Sequence, residues 1–77
     1  MNNIFCYNLT DMEFAERLKE LRTEAHESQE TVGKVVNMSK MAISHWESGH
    51  SEPSISQLKI LARHFNVTVG YLVGTDD

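Results

Sequence analysis

The stretch from Ser28 to Pro53, SQETVGKVVNMSKMAISHWESGHSEP, limits what this chain can fold into more than any other part of it. It reads as a short helix, a tight turn, a second short helix and a loop ending in proline. Ser28 caps the first of these helices, and Glu30 complements the dipole at its N-terminus. Val32, Val35 and Val36 supply its apolar side. Asn37 breaks the run, because asparagine, after glycine, most readily takes the left-handed conformation that ends a helix tightly. Ser39 caps the second helix, which spans Lys40 to about Ser48 and is closed by Gly49. Ile43 and Trp46, three residues apart, face inward.

Two helices joined by so short a turn must cross with their backbones close together. The crossing needs a small residue, the turn needs one that tolerates φ > 0, and apolar residues must follow the turn and occupy the middle of the second helix. Gly33, Asn37, and the pair Met38 and Ile43 meet these demands in order. Gln29 opens the first helix.

The flanks supply three more helices. Thr10-Asp11-Met12-Glu13 is a capping box, in which hydroxyl and carboxylate satisfy each other's orphan backbone donors. A helix follows to about Ala25, with Phe14, Leu18, Leu21 and Ala25 on one face. Ser54-Ile55-Ser56-Gln57 is a second box, opening a helix to about Phe65. Ile55, Leu58, Leu61, Ala62 and Phe65 are its expected core side, and Asn66 ends it. Thr68 caps a fifth helix, Val69 to Val73, stopped by Gly74. The expected fold class is all-α. Strand is the alternative for the valine-rich ends of helices two and five. Residues 1–9 read as an N-terminal arm, 10–74 as the domain and 75–77 as a tail.

Seventy-seven residues allow one domain with a modest core. The single Cys6 cannot form an internal disulfide, which fits a reducing compartment. No apolar run approaches the ~20 residues of a bilayer span. MNNIFCYNLT lacks the basic start and long apolar run of a signal peptide, so the expected location is cytoplasmic. The net charge of −4, taken whole, argues against a polyanionic partner. Its distribution softens that objection. Residues 10–30 carry seven acids against three bases, whereas residues 31–51 carry Lys34 and Lys40 against Glu47, plus His45 and His50.

FAERLKELR, SQETVGKVVNMS, ISHWESG, EPS and LKILARHFNVTVGYLVG together make the span Phe14–Gly74 resemble the Cro/lambda-repressor-like helix-turn-helix family, also called XRE-family regulators. The resemblance covers about four-fifths of the chain. The family usually has alanine at the place of Gly33 and glycine at that of Asn37; both exchanges keep the physical requirement. Gly33 carries a helix-propensity cost of roughly 1 kcal/mol.

The resemblance implies a compact five-helix lambda-repressor-like domain and a transcriptional regulator, most simply a phage or bacterial repressor. Its recognition helix, Ser39–Ser48, would lie in the major groove of double-stranded operator DNA. Lys40, Met41, Ser44 and His45 would face base edges: Lys40 donating to guanine, Met41 meeting a thymine methyl, Ser44 and His45 donating or accepting. Gln29 is placed to touch a phosphate, and Ser48, His50 and Ser51 in the following loop approach a second one. Arg22 and Glu47 match an ion pair of well-known relatives, which would put the guanidinium near the DNA backbone. The implied DNA-binding set is therefore Gln29, Ser39, Lys40, Met41, Ser44, His45, Ser48, His50, Ser51 and Arg22. Each has a plainer reading as a solvated helix or loop residue, and His50 most of all. The resemblance also implies a homodimer on a palindromic site, with half-sites about 34 Å apart, and no cofactor. Val69, Tyr71 and Val73 are candidate dimer residues, or else complete a small core.

Other chemistries find little footing. His45 and His50 are five apart across a helix end, and the cysteine is remote, so no tetrahedral zinc set can be assembled. No nucleophile–base–orienter set or phosphate-binding glycine loop is identifiable, so an enzyme is not expected. The rival class is a protein-binding module such as an antitoxin, which the acidic first helix favours. Within the regulator class, the chain reads either as a complete small regulator or as the DNA-binding part of a longer one.

Overall fold

The computed structural model describes residues 14–75, which form five α-helices and no strand. α1 takes in residues 14–24, α2 is Gln29–Val35, α3 is Lys40–Glu47, α4 is Ile55–Phe65 and α5 is Val69–Val73. Side-chain oxygens start four of them. Ser28 accepts from Thr31 N–H, Ser39 from Ala42 N–H, Ser54 from Gln57 N–H and Thr68 from Tyr71 N–H. Gln57 closes a reciprocal capping box by accepting from Ser54 N–H at 2.8 Å. The Thr10–Glu13 box lies outside the described residues.

All five helices end by one device. A left-handed residue follows the last turn, and the next amide reaches back to a carbonyl five residues earlier. The left-handed residues are His26, Asn37, Gly49, Asn66 and Gly74, with φ of 59°, 60°, 81°, 60° and 85°. The returning bonds are Glu27 N–H to Arg22 O, Met38 to Gly33, His50 to His45, Val67 to Ala62 and Thr75 to Gly70, at 2.7–3.0 Å. Asn37, Gly49, Asn66 and Gly74 stand where the sequence places its stops. His26 is the unforeseen one. A histidine in this conformation is unusual, and it ends α1 just before the expected position.

Leu18, Val32, Ile43, Leu61 and Leu72 are fully buried, one from each helix, and Val36, Trp46 and Ala62 close around them. Phe14, Leu21, Leu58 and Phe65 pack on this cluster while half-buried. Two expected core residues are corrected. Ala25 is exposed, because the turn at His26 takes the chain away before an eleventh-residue repeat can face inward. Ile55 is 71% exposed. It is the first residue of α4, and helical Cβ atoms lean toward the N-terminus, so its side chain overhangs the end of the helix. Ala15, passed over in the sequence, is buried.

Two polar contacts tie the periphery. His64 Nε2, on α4, meets both carboxylate oxygens of Glu27, in the turn between α1 and α2, at 2.8 and 3.0 Å. Arg17 lies over the Tyr71 ring, 4.2 Å from its centroid, joining α1 to α5. Val69 packs on the core, so two of the three candidate dimer residues are already partly committed within the chain. No helix among the described residues is long and apolar enough to cross a membrane.

Candidate nucleic-acid interface

α2 packs more extensively against α3 than against α4, and more than α4 does against α5. At their crossing, a Cβ built on Gly33 would stand 2.6 Å from Met38 O and 3.2 Å from Ser39 O. The turn therefore folds directly onto the α2 backbone, and Met38 N–H seals it by donating to Gly33 O at 2.7 Å. Met38 contributes through this main chain. The residue is 39% exposed, so of the expected apolar pair only Ile43 enters the core.

Burial divides α3 into two faces. Ile43 and Trp46 anchor it inward. Lys40, Met41 and His45 are exposed and Ser44 is half-buried, giving one outward strip of a cation, a thioether, a hydroxyl and an imidazole. Ser39 sits at the head of this strip, where its Oγ accepts from Ala42 N–H at 3.1 Å. Such a strip can donate, accept and make apolar contact within about two helical turns.

Glu47, at the end of α3, is a junction. Arg22 donates to it twice, Nε to Oε2 at 2.6 Å and Nη2 to Oε1 at 3.0 Å. Gln29 Nε2 also donates to Oε1, at 3.1 Å. Arg22 Nη1 donates to Glu27 O at 2.9 Å. The carboxylate thus joins α1, the head of α2 and α3. The Arg22 and Glu47 side chains are 13% and 5% exposed. The hydrogen bonds that Arg22 donates to the Glu47 carboxylate, with the charge of that carboxylate, push the Arg22 guanidinium above its usual pKa, against the opposing effect of burial. The expected partners Arg22 and Glu47 do meet. The involvement of Gln29 went unseen, because Gln29 and Glu47 are related by helix crossing and not by local spacing.

Arg22, Gln29, Ser44, Glu47 and Ser48 line an open cleft between α1, the start of α2 and α3. Lys19 adds a further cation to its wall. The sequence reading overlooked Lys19; its position one turn before Arg22 on α1 was the available signal.

Beyond α3, the chain folds back over the helix end. Ser48 Oγ donates to His45 O at 3.1 Å, and the amides of His50 and Ser51 donate to the same carbonyl at 2.9 and 3.4 Å. The His50 ring stacks on the His45 ring. Ser48, His50 and Ser51 are all exposed beside the outward strip.

Residues 18–72, from within the first helix to within the fifth, match the family model described as Helix-turn-helix. This chain belongs to the Cro/lambda-repressor-like helix-turn-helix family. It is 38% identical over 66 residues to the HTH-type transcriptional activator BcrR of Enterococcus faecalis, covering 86% of this chain and 32% of that protein. It is 30% identical over 66 residues to the HTH-type transcriptional regulator ImmR of Bacillus subtilis (strain 168), covering 86% of this chain and 52% of that protein. The chain thus spans about a third to a half of the length of these two curated relatives. Among solved structures it is similar to the P22 c2 repressor in complex with a synthetic operator. The TM-score is 0.76 and the identity 32%, over 82% of this chain and 96% of the repressor chain.

Proposed function

We propose that this chain is the DNA-binding unit of a transcriptional regulator and reads an operator through α3. The observation that carries the reading is the two-faced α3: Ile43 and Trp46 fix the helix, and Lys40, Met41, Ser44 and His45 form its open strip. In this arrangement α3 enters the major groove, Lys40 and His45 address base edges, and Met41 meets a thymine methyl. The cleft beside it, with Lys19 and Arg22, takes the flanking backbone, as do Ser48 and Ser51 on the other side. Gln29 serves this surface from its hydrogen bond to Glu47, and Ser39 from the head of the helix.

One helix reads only a few base pairs, so the binding species is a homodimer on a palindromic operator. The P22 c2 relative is a repressor and the BcrR relative an activator. Repression is the simpler action for a unit whose surface serves DNA occupancy, and it is the direction we propose.

Selection of bound duplexes from a random pool at low salt, repeated with Lys40→Ala and His45→Ala, tests the reading. The expected result is an enriched inverted repeat whose base preferences change at defined positions in each variant. A folded chain that enriches no duplex overturns it. A second reading, a protein-binding module, is favoured by the exposed acids Glu16, Glu20 and Glu24 along α1. It predicts a stable complex with a protein partner that survives loss of Lys40 and His45.

A further inference from the structure

We infer that His50 is a positioning residue for His45. The stacked pair holds the imidazole of α3 in one orientation before DNA arrives, so His50 sharpens base discrimination without itself touching a base. This rests on the reading in which the outward strip of α3 faces base edges.

The geometry begins with Gly49. Its φ of 81° belongs to the left-handed region, while a Cβ placed there would meet nothing within 4 Å. The glycine is therefore required for conformation and not for space. That conformation reverses the chain, so His50 N–H reaches His45 O at 2.9 Å, with Ser51 N–H and Ser48 Oγ on the same carbonyl. The reversal returns the His50 ring over the His45 ring, with centroids 5.3 Å apart and planes inclined by 30°.

The chemistry of stacking suits this role. A stack covers the faces of two rings and leaves their edges open. Both nitrogens of an imidazole lie on its edge, where a base would be met. An exposed side chain without such a neighbour moves among its rotamers and must be ordered at binding, which weakens the specific complex. His45, already held, loses less. A phosphate-contacting His50, the assignment implied by family resemblance, has a different signature: it would strengthen binding to every duplex alike.

The experiment uses the full chain. From the enriched duplex, each single base-pair variant and a non-specific duplex are titrated against the parent, His45→Ala, His50→Ala, His50→Phe and the double alanine variant. Melting curves check that each stays folded. The expected result is that His50→Ala loses discrimination at the same base pairs as His45→Ala. The loss is about two- to tenfold, the scale of ordering one side chain at an interface. Non-specific affinity stays unchanged, His50→Phe restores discrimination by restoring the stack, and the double variant is no worse than His45→Ala. Uniform weakening by His50→Ala on all duplexes, unrescued by Phe, makes His50 a phosphate contact and overturns the inference. Changed preferences in His45→Ala but none in His50→Ala overturn the positioning role and leave the reading helix intact. Unchanged preferences in His45→Ala, or no enriched duplex at all, overturn the role of His45 and the inference with it.

Discussion

Replacing Glu47 with glutamine removes one charge at the junction of three helices while leaving its shape. In the parent, the carboxylate accepts from Arg22 at 2.6 and 3.0 Å and from Gln29 at 3.1 Å. In Glu47→Gln, one accepting oxygen becomes an NH2 group that faces the Arg22 and Gln29 donors. An exposed ion pair contributes about 0–1 kcal/mol, whereas breaking a fully buried one costs about 3–5 kcal/mol. With side-chain exposures of 5% and 13%, this pair falls between those limits. The expected loss is about 2 kcal/mol. For a domain of this size that lowers Tm by about 8–16 °C, at roughly 4–8 °C per kcal/mol. Thermal melting and urea unfolding of the parent, Arg22→Gln, Glu47→Gln and the double variant measure it. The cycle should return a coupling of about 1 kcal/mol or more. The sign of the pH dependence follows from Arg22, whose pKa is raised in the fold. Its contribution is complete below the unfolded value and is lost only as pH climbs through the raised one, far into the alkaline range. Arg22 deprotonation therefore leaves the gap between parent and variant unchanged from about pH 6 to 8. A Glu47→Gln protein that melts within about 2 °C of the parent, with no coupling in the cycle, refutes the assignment of Glu47 as the junction.

Other substitutions probe the turns and the core. His26→Gly should raise stability by about 0.5–1 kcal/mol, since relief of a left-handed side chain exceeds the added freedom of the unfolded chain; chemical denaturation gives the sign. Gly33→Ala should lower Tm although alanine gains roughly 1 kcal/mol of helix propensity, because the new Cβ meets the Met38 carbonyl at 2.6 Å and the turn must open; a higher Tm would show that the crossing relaxes freely. Ile43→Ala, at a fully buried site, should cost about 2–5 kcal/mol and leave the domain largely unfolded at 37 °C. The affinity for a non-specific duplex should fall only gently with salt. With Lys19, Arg22 and Lys40 as the cations on this surface, the slope of log K against log salt is at most about 3 per chain. A steeper slope would show that further cations reach the DNA.

Local chemistry made much of the fold legible. Ser28, Ser39, Ser54 and Thr68 mark helix starts through their own oxygens, and Asn37, Gly49, Asn66 and Gly74 mark stops through their tolerance of φ > 0. Both signals act within a few residues, so no knowledge of the fold is needed to read them. His26 ends α1 in the same way but carries no such signal, because histidine has only a weak left-handed preference and the surrounding chain imposes the conformation. The inward pair of α3, Ile43 and Trp46, was legible for the same local reason, whereas Lys40, Met41, Ser44 and His45 came from the family resemblance; with the inward pair buried, Lys40, Met41 and His45 are exposed and Ser44 is half-buried.

The sequence by itself determined which segments are helices, where they turn and which face of each is apolar, because caps, left-handed stops and periodicity are properties of short stretches. Tertiary structure decided what meets across those segments. The resemblance pointed to Arg22 and Glu47 as partners, but packing alone brings Gln29 to the same carboxylate, His64 to Glu27 and Arg17 to Tyr71. It also decides that Ile55 overhangs its helix while Ala15 is buried, since burial depends on what lies opposite a side chain. The closeness of α2 to α3 at Gly33 and the stacking of His50 on His45 are of the same kind. Each is a distance between residues that only the crossing of helices or the return of a loop can set.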